Sequence, residues 1–136
     1  MTFDTKVAVL IREDLLVWQK LNVACFLAGG LVGQFPILAG EPYADAGGRE
    51  YGPLIRQPVL VFTANAQQLA KALQRAEQRG LRPSIYTAGL FATGNDADNR
   101  AVVAALPADM LDLVGIAIHG PKKAVDKVTE GLKLHP

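Results

Sequence analysis

The sequence predicts an α/β fold in three layers: a mixed, mostly parallel four-stranded sheet flanked by helices. Two observations carry that prediction. Four short runs rich in Val, Leu, Ile and Phe alternate with four stretches of helical periodicity. The runs are apolar with little alternation, the pattern of strands covered on both faces. The length, 136 residues, sets the expectation of one domain spanning 1–136.

Lys6 to Arg12 is a continuous β-rich run and reads as a central strand. Asp14 follows as an N-cap. From Val17 to Gln34 the pattern is helical, with Leu21, Ala24, Cys25, Ala28 and Leu31 or Val32 as its inward stripe. Gly29 and Gly30 weaken that helix by about 1 kcal/mol each relative to Ala, which is tolerable where another backbone packs close. Pro36, Gly40, Pro42, Gly47, Gly48, Gly52 and Pro53 punctuate residues 35–56, and Tyr43 to Tyr51 reads as a hairpin turning at Ala46, Gly47 and Gly48. A loop this long in a small domain marks a functional segment or a packing arm.

Pro58 to Thr63 reads as the second strand. Asn65 caps the next helix, whose apolar stripe is Leu69, Ala72, Leu73 and Ala76 and which stops at Gly80. Pro83 to Ala88 is the third strand. Thr93 to Asn99 reads as a polar turn and Arg100 to Leu106 as a short helix ended by Pro107. Leu111 to Ile118 is the fourth strand. Gly120 and Pro121 open the last helix, with Pro121 at its first position and Val125, Val128 and Leu132 as its buried stripe. In such sheets ligands bind beyond the carboxyl ends of the strands, which here means Arg12 to Asp14, Thr63 to Asn65, Thr87 to Thr93, and His119 to Gly120.

Composition excludes several functions. The 14 Lys and Arg nearly cancel the 13 Asp and Glu, so net charge gives no support for strong nonspecific nucleic-acid binding. One cysteine, Cys25, rules out an internal disulfide and fits a reducing compartment. No basic segment precedes an apolar run at the N-terminus, and the longest apolar stretch, Val23 to Val32, is about half of what a bilayer requires. A soluble cytoplasmic protein with no membrane partner is expected. The one serine, Ser84, lacks the flanking glycines of a nucleophile elbow. Neither a dinucleotide fingerprint nor a P-loop occurs. His119 and His135 stand far apart without cysteine neighbours, so no metal and no cofactor are expected. Residues 95–99 resemble the opening of a calcium loop but lack its later Gly and Glu, and read as a helix-capping turn. Cys25 reads as a small buried hydrophobe, and Trp18 as a core or dimer anchor rather than a stacking platform.

One set of segments points to a family. Arg12, Glu13, Asp14 and Leu15 follow the first strand; Lys20 precedes the helical stretch; Gly80 and Leu81 precede the third strand; Ala88 and Gly89 follow Thr87. Gly115 to Pro121 and Val125 to Leu134 complete the set. Over residues 6–134 this pattern resembles the type II peptidyl-tRNA hydrolases, and more closely an uncharacterised bacterial sister group with that fold. The resemblance implies the hydrolase fold, a homodimer, and Lys20 as the catalytic position carried over.

The departures lie where chemistry is done. Val17, Trp18, Gln19 and Lys20 replace a Gly/Lys-rich segment; Ala24 and Leu27 stand where the family's helix carries Gln and His. Thr87 replaces an acidic residue, Leu90, Phe91 and Ala92 replace Arg-Thr-Gln, and 93–109 is an insert. A threonine hydroxyl does not ionise near neutral pH, and loss of the acid–base group costs a factor of about 100 to 10,000. The expectation is therefore a relative of the hydrolases without their activity. It binds a small anionic ligand through Asn22, Thr87, Thr93, Asn99 and Arg100, beside Lys20. Two alternatives stand beside it: a divergent hydrolase acting on peptidyl-tRNA, and a dimeric interaction module.

Overall fold

The computed structural model describes residues 3–136. Its strands are β1 (Thr5–Arg12), β2 (Tyr43–Ala44), β3 (Glu50–Tyr51), β4 (Val59–Ala64), β5 (Ser84–Thr87), β6 (Leu113–Pro121) and β7 (Lys133–Leu134). Its α-helices are α1 (Val17–Gln34), α2 (Ala66–Gln78), α3 (Asp96–Ala104) and α4 (Lys122–Val128). Short 3-10 turns occupy Pro36–Leu38, Ala88–Ala92 and Ala108–Met110.

The main sheet has five strands in the order β5-β6-β1-β4-β7. Only β1 and β4 pair in parallel, from Val7 opposite Val59 to Arg12 opposite Ala64. β6 runs antiparallel to both β1 and β5, and β7 antiparallel to β4. The expected four-stranded, mostly parallel sheet is thus corrected to a five-stranded, mostly antiparallel one, still mixed and still flanked by helices. The physical reason lies between β5 and β6. A parallel crossover needs a helix with an apolar face long enough to cover the sheet. α3 buries none of its residues fully, so the chain turns at the sheet's end and returns antiparallel. β7 has no sequence signal of its own, being two residues long and close behind a helix. Gly131, at φ +86°, makes the turn into it.

Strand alternation sends β1 side chains to two cores. Ala8 and Leu10 join Ile116 and Ile118 under Leu69, Ala72, Leu73 and Ala76 of α2 and Val125 and Val128 of α4. Val7, Val9 and Ile11 face Val23, Leu27 and Leu31 of α1. The stripes expected for α2 and for Val125 and Val128 are the ones buried. That of α1 is only in part: Leu31 is buried and Ala24 and Val32 pack against the core, but Cys25 is exposed, and Leu21 is 63% exposed. α1 is apolar on nearly every side, so periodicity alone cannot choose its inner face. Gly115 chooses it, because the missing side chain leaves the notch that Val23 and Leu27 fill.

The hairpin is where expected, with Tyr43 opposite Tyr51. Asp45 holds its turn, accepting from the Tyr51 hydroxyl at 2.9 Å and from the amides of Gly47 and Arg49. Those bonds, the Tyr51 hydroxyl first, pull the Asp45 carboxyl below its ordinary value. α3 begins at Asp96 rather than Arg100, capped by Asn95, whose side chain accepts from the Asp98 amide at 2.8 Å. Among the described residues no helix is long and apolar enough to cross a membrane.

Candidate functional site: an aromatic-walled cavity beside the first helix

α1 carries its residues in rows, since positions four apart stack on one face. Val23, Leu27 and Leu31 form the core row. Trp18, Asn22 and Phe26 form a second row, and this one borders a cavity of about 330 Å³. The opposite wall comes from β5 and the segment after it: Tyr86, Leu90, Phe91, Thr93, Gly94, Asn95, Asp96 and Asn99. The 88–112 connection that fails to cover the sheet therefore builds a site at its end.

The aromatic rings contact one another around this space. Trp18 meets Phe91 edge-on at 6.0 Å between centroids, Tyr86 meets Phe91 at 5.2 Å, and Phe26 meets Tyr86 at 5.8 Å. Burial pushes the Tyr86 phenol up from its ordinary value, so it stays a neutral hydroxyl at physiological pH. A second hollow of about 430 Å³ adjoins the first and shares Phe26, Tyr86, Leu90, Asp96 and Asn99 with it. Its further lining is mostly apolar, with Leu27, Ile85 and Val103.

Two amides define the polar side. Thr93 donates its hydroxyl to the Leu90 carbonyl at 2.9 Å and also lies against the Asn99 side chain. The one proton of the Thr93 hydroxyl has two acceptors in reach, the Leu90 carbonyl and Asn99 Oδ1. Asn99 thus meets Thr93 through its carbonyl oxygen, and its NH2 group is left as the donor. Asn22 faces it from α1. The one charged lining residue of the first cavity, Asp96, is tied to Arg100 at 2.5 Å.

The six residues singled out from sequence are divided by the fold. Asn22, Thr93 and Asn99 meet at the cavity. Arg100 borders the apolar continuation, paired with Asp96. Thr87 is buried and lines neither hollow. Lys20 lies two positions from Asn22, hence on another side of α1. Its ammonium sits 3.2 Å from His135 Nε2, beside the β7 edge of the sheet, while His135 Nδ1 meets the Pro136 carbonyl at 3.1 Å. Sequence reasoning misses the aromatic walls. Their one signal is the spacing of Trp18, Asn22 and Phe26, which gains meaning only once the inner row of α1 is known.

Arg12 fixes this end of the sheet. Its guanidinium donates to Asp14 at 2.7 Å, to Asp112 at 2.6 Å and to the Leu113 carbonyl, clamping β1 to the start of β6. Desolvation lowers the Arg12 pKa, but the bonds to Asp112 and Asp14 outweigh it and hold the group above its ordinary value.

His119 and Gly120, expected beside the other strand ends, lie at the far end of the sheet because β6 is reversed. His119 Nε2 is 3.1 Å from Thr5 Oγ1, its Nδ1 is buried without a partner among the described residues, and its ring packs edge-on against Phe35. Burial, with Arg56 nearby, lowers its pKa. The folded state therefore binds fewer protons than the unfolded one in this range. The neutral ring's contribution is complete above about pH 6.5 and is lost as pH falls through the depressed value. Urea midpoints followed from pH 8 to 5 should fall less steeply for His119→Gln than for the unaltered chain. Parallel curves would show that His119 is not the group responsible.

The fold and site define an α/β domain with a mixed five-stranded sheet and an aromatic-walled cavity between its first helix and the 88–104 segment. The chain belongs to the DUF2000 family, whose model, described as a protein of unknown function, matches residues 5–136. The solved structure of Atu0240, a protein of unknown function from Agrobacterium tumefaciens strain C58, is similar at 46% identity and a TM-score of 0.96. The match covers 99% of this chain and 100% of that one. No curated protein matches the chain.

Proposed function

We propose that the chain is a binding protein whose ligand sits in the cavity between α1 and the 88–104 segment, and that it does not hydrolyse peptidyl-tRNA. The observation that carries this reading is the convergence of four aromatic side chains with the amides of Asn22 and Asn99 on one cavity. Aromatic walls select a flat apolar face, and the amides fix its polar edge. The anion expected from sequence would have relied on Lys20 and Arg100 together. Lys20 faces His135, and Arg100 is neutralised by Asp96. The ligand best suited to the lining is a small uncharged molecule with a planar ring and an amide-like edge. The adjoining apolar hollow gives room for a short hydrocarbon substituent.

Ligand-observed NMR with a panel of uncharged aromatic and heteroaromatic amides, alongside small carboxylates, tests this. Amides of the first group should bind, and Asn99→Leu should weaken them about tenfold, the worth of one hydrogen bond with an unpaired partner. Binding by carboxylates alone, lost in Arg100→Ala, would restore the anionic ligand and overturn the neutral one.

The hydrolase reading draws on one contact, the Lys20–His135 pair, which joins a cation to an imidazole. It lies on another side of α1 from the cavity. Purified protein incubated with peptidyl-tRNA should therefore release no peptide. Turnover that disappears in Lys20→Ala would reverse this conclusion.

A further inference from the structure

The two hollows beside α1 meet at Tyr86, which lines both together with Phe26, Leu90, Asp96 and Asn99. Among these shared residues it is the one that is both polar and deeply buried, at 7% exposed. Strand alternation puts it there. Ser84 and Tyr86, two apart on β5, look the same way, Ser84 onto Gly30 of α1 and Tyr86 onto Phe26. Tyr86 touches its neighbours through ring contacts with Phe26 and Phe91, and its hydroxyl hydrogen-bonds to none of the described residues. A buried tyrosine hydroxyl ordinarily has a partner. The unpaired side-chain atoms that are fully occluded among the described residues are Gln57 Oε1 and His119 Nδ1, so the Tyr86 hydroxyl is unpaired but open. On a side chain so deeply buried, the opening is the junction of the two hollows.

We propose that Tyr86 is a specificity-determining residue whose hydroxyl donates to an oxygen in the middle of a ligand spanning both hollows. This inference rests on the cavity reading above and narrows it. The ring of the ligand lies in the first hollow, with its amide edge at Asn22 and Asn99. Its hydrocarbon lies in the second, against Leu27, Ile85 and Val103. The atom that joins them passes Tyr86. The phenol is kept neutral by burial and offers one proton, so that atom is an acceptor, an ether or carbonyl oxygen. Phe26 and Phe91 hold the ring of Tyr86 in place before a ligand arrives. The ligand class is thus an aromatic amide linked through oxygen to a short alkyl chain. A methylene in place of that oxygen would displace water from the phenol and leave its proton unpaired. A pocket rejects such a loss more strongly than a change of size.

Isothermal titration calorimetry with 3- and 4-propoxybenzamide, their 3- and 4-butylbenzamide counterparts and benzamide itself tests this. Each propoxy and butyl pair shares its length and differs by one oxygen in place of one CH2. In the unaltered chain the better propoxy isomer should bind more tightly than benzamide. It should also bind about tenfold more tightly than its butyl counterpart, the worth of one hydrogen bond whose loss leaves a donor unpaired. In Tyr86→Phe the two should bind alike. That variant should unfold at the urea midpoint of the unaltered chain, because the hydroxyl it removes bonds to none of the described residues. Equal affinities within each pair, while benzamide binds, overturn the role of Tyr86 and leave the cavity reading standing. So does a preference for oxygen that survives in Tyr86→Phe, and so does a propoxy compound no tighter than benzamide. Absence of binding by all the compounds overturns both.

Discussion

Gly115→Val is expected to cost about 3 kcal/mol or more of folding free energy, and to abolish ligand binding with it. A Cβ at this position would lie 2.5 Å from Val23 Cγ1, 2.8 Å from Leu27 Cδ1 and 3.4 Å from the Leu10 carbonyl. Val23 and Leu27 are buried core residues of α1, so neither has room to yield. Overpacking of this kind costs about 1–3 kcal/mol for modest additions, and a branched side chain on a strand facing a helix adds more. Set against a total stability of about 5–15 kcal/mol, the midpoint of thermal unfolding should fall by about 10 °C or more. The effect reaches function because the notch seats α1, and α1 carries Trp18, Asn22 and Phe26. Gly29→Ala is the control. Nothing lies near its Cβ, and removing a helical glycine should leave stability equal or raise it by up to about 1 kcal/mol. Thermal unfolding by circular dichroism reads both. A Gly115→Val protein within about 0.5 kcal/mol of the parent would show that Gly115 does not set the depth of α1.

Leu10→Ala is expected to be comparably destabilising, by about 2–5 kcal/mol, and to leave binding intact in the fraction that folds. Leu10 is fully buried on the central strand, on the face covered by α2 and α4. Truncating it leaves a hole in the cluster of Leu69, Leu73 and Ile116, which α2 and α4 hold open. The cavity lies on the other face, so ligand affinity per folded molecule should hold within a factor of about two. Urea unfolding measures the first quantity and titration at low temperature the second. Loss of affinity in Leu10→Ala alongside loss of stability would mean that the two faces are coupled.

The sequence made the scaffold legible to the extent that its pieces are local. The β1 run, the Asn65 cap with Gln68 reaching back, the stop at Gly80 with φ +70°, and the Asp45 hairpin all announce themselves within a few residues. Strand direction is not local. It depends on whether the 88–112 connection covers the sheet, and α3 is too polar and short to do so. The inner face of α1 was hidden for a different reason: three of its rows are apolar, and the residue that decides among them, Gly115, stands far along the chain. The site followed the same divide. Thr93 and Asn99 lie close in sequence and belong together. Lys20 and Asn22 lie closer still and do not, because two helical residues two apart point to different sides. The aromatic wall needed both facts at once: which row of α1 faces outward beside β5, and where the 88–104 segment folds back.

The most direct test of the cavity as the functional site is amide chemical-shift mapping of the isotope-labelled chain during titration with an uncharged aromatic amide such as benzamide. The largest shifts should cluster at Trp18, Asn22, Phe26, Phe91, Thr93 and Asn99, saturate together, and vanish in Asn99→Leu. Shifts centred on Lys20 and His135 instead, or scattered over the surface without saturation, would contradict the assignment of function to this cavity.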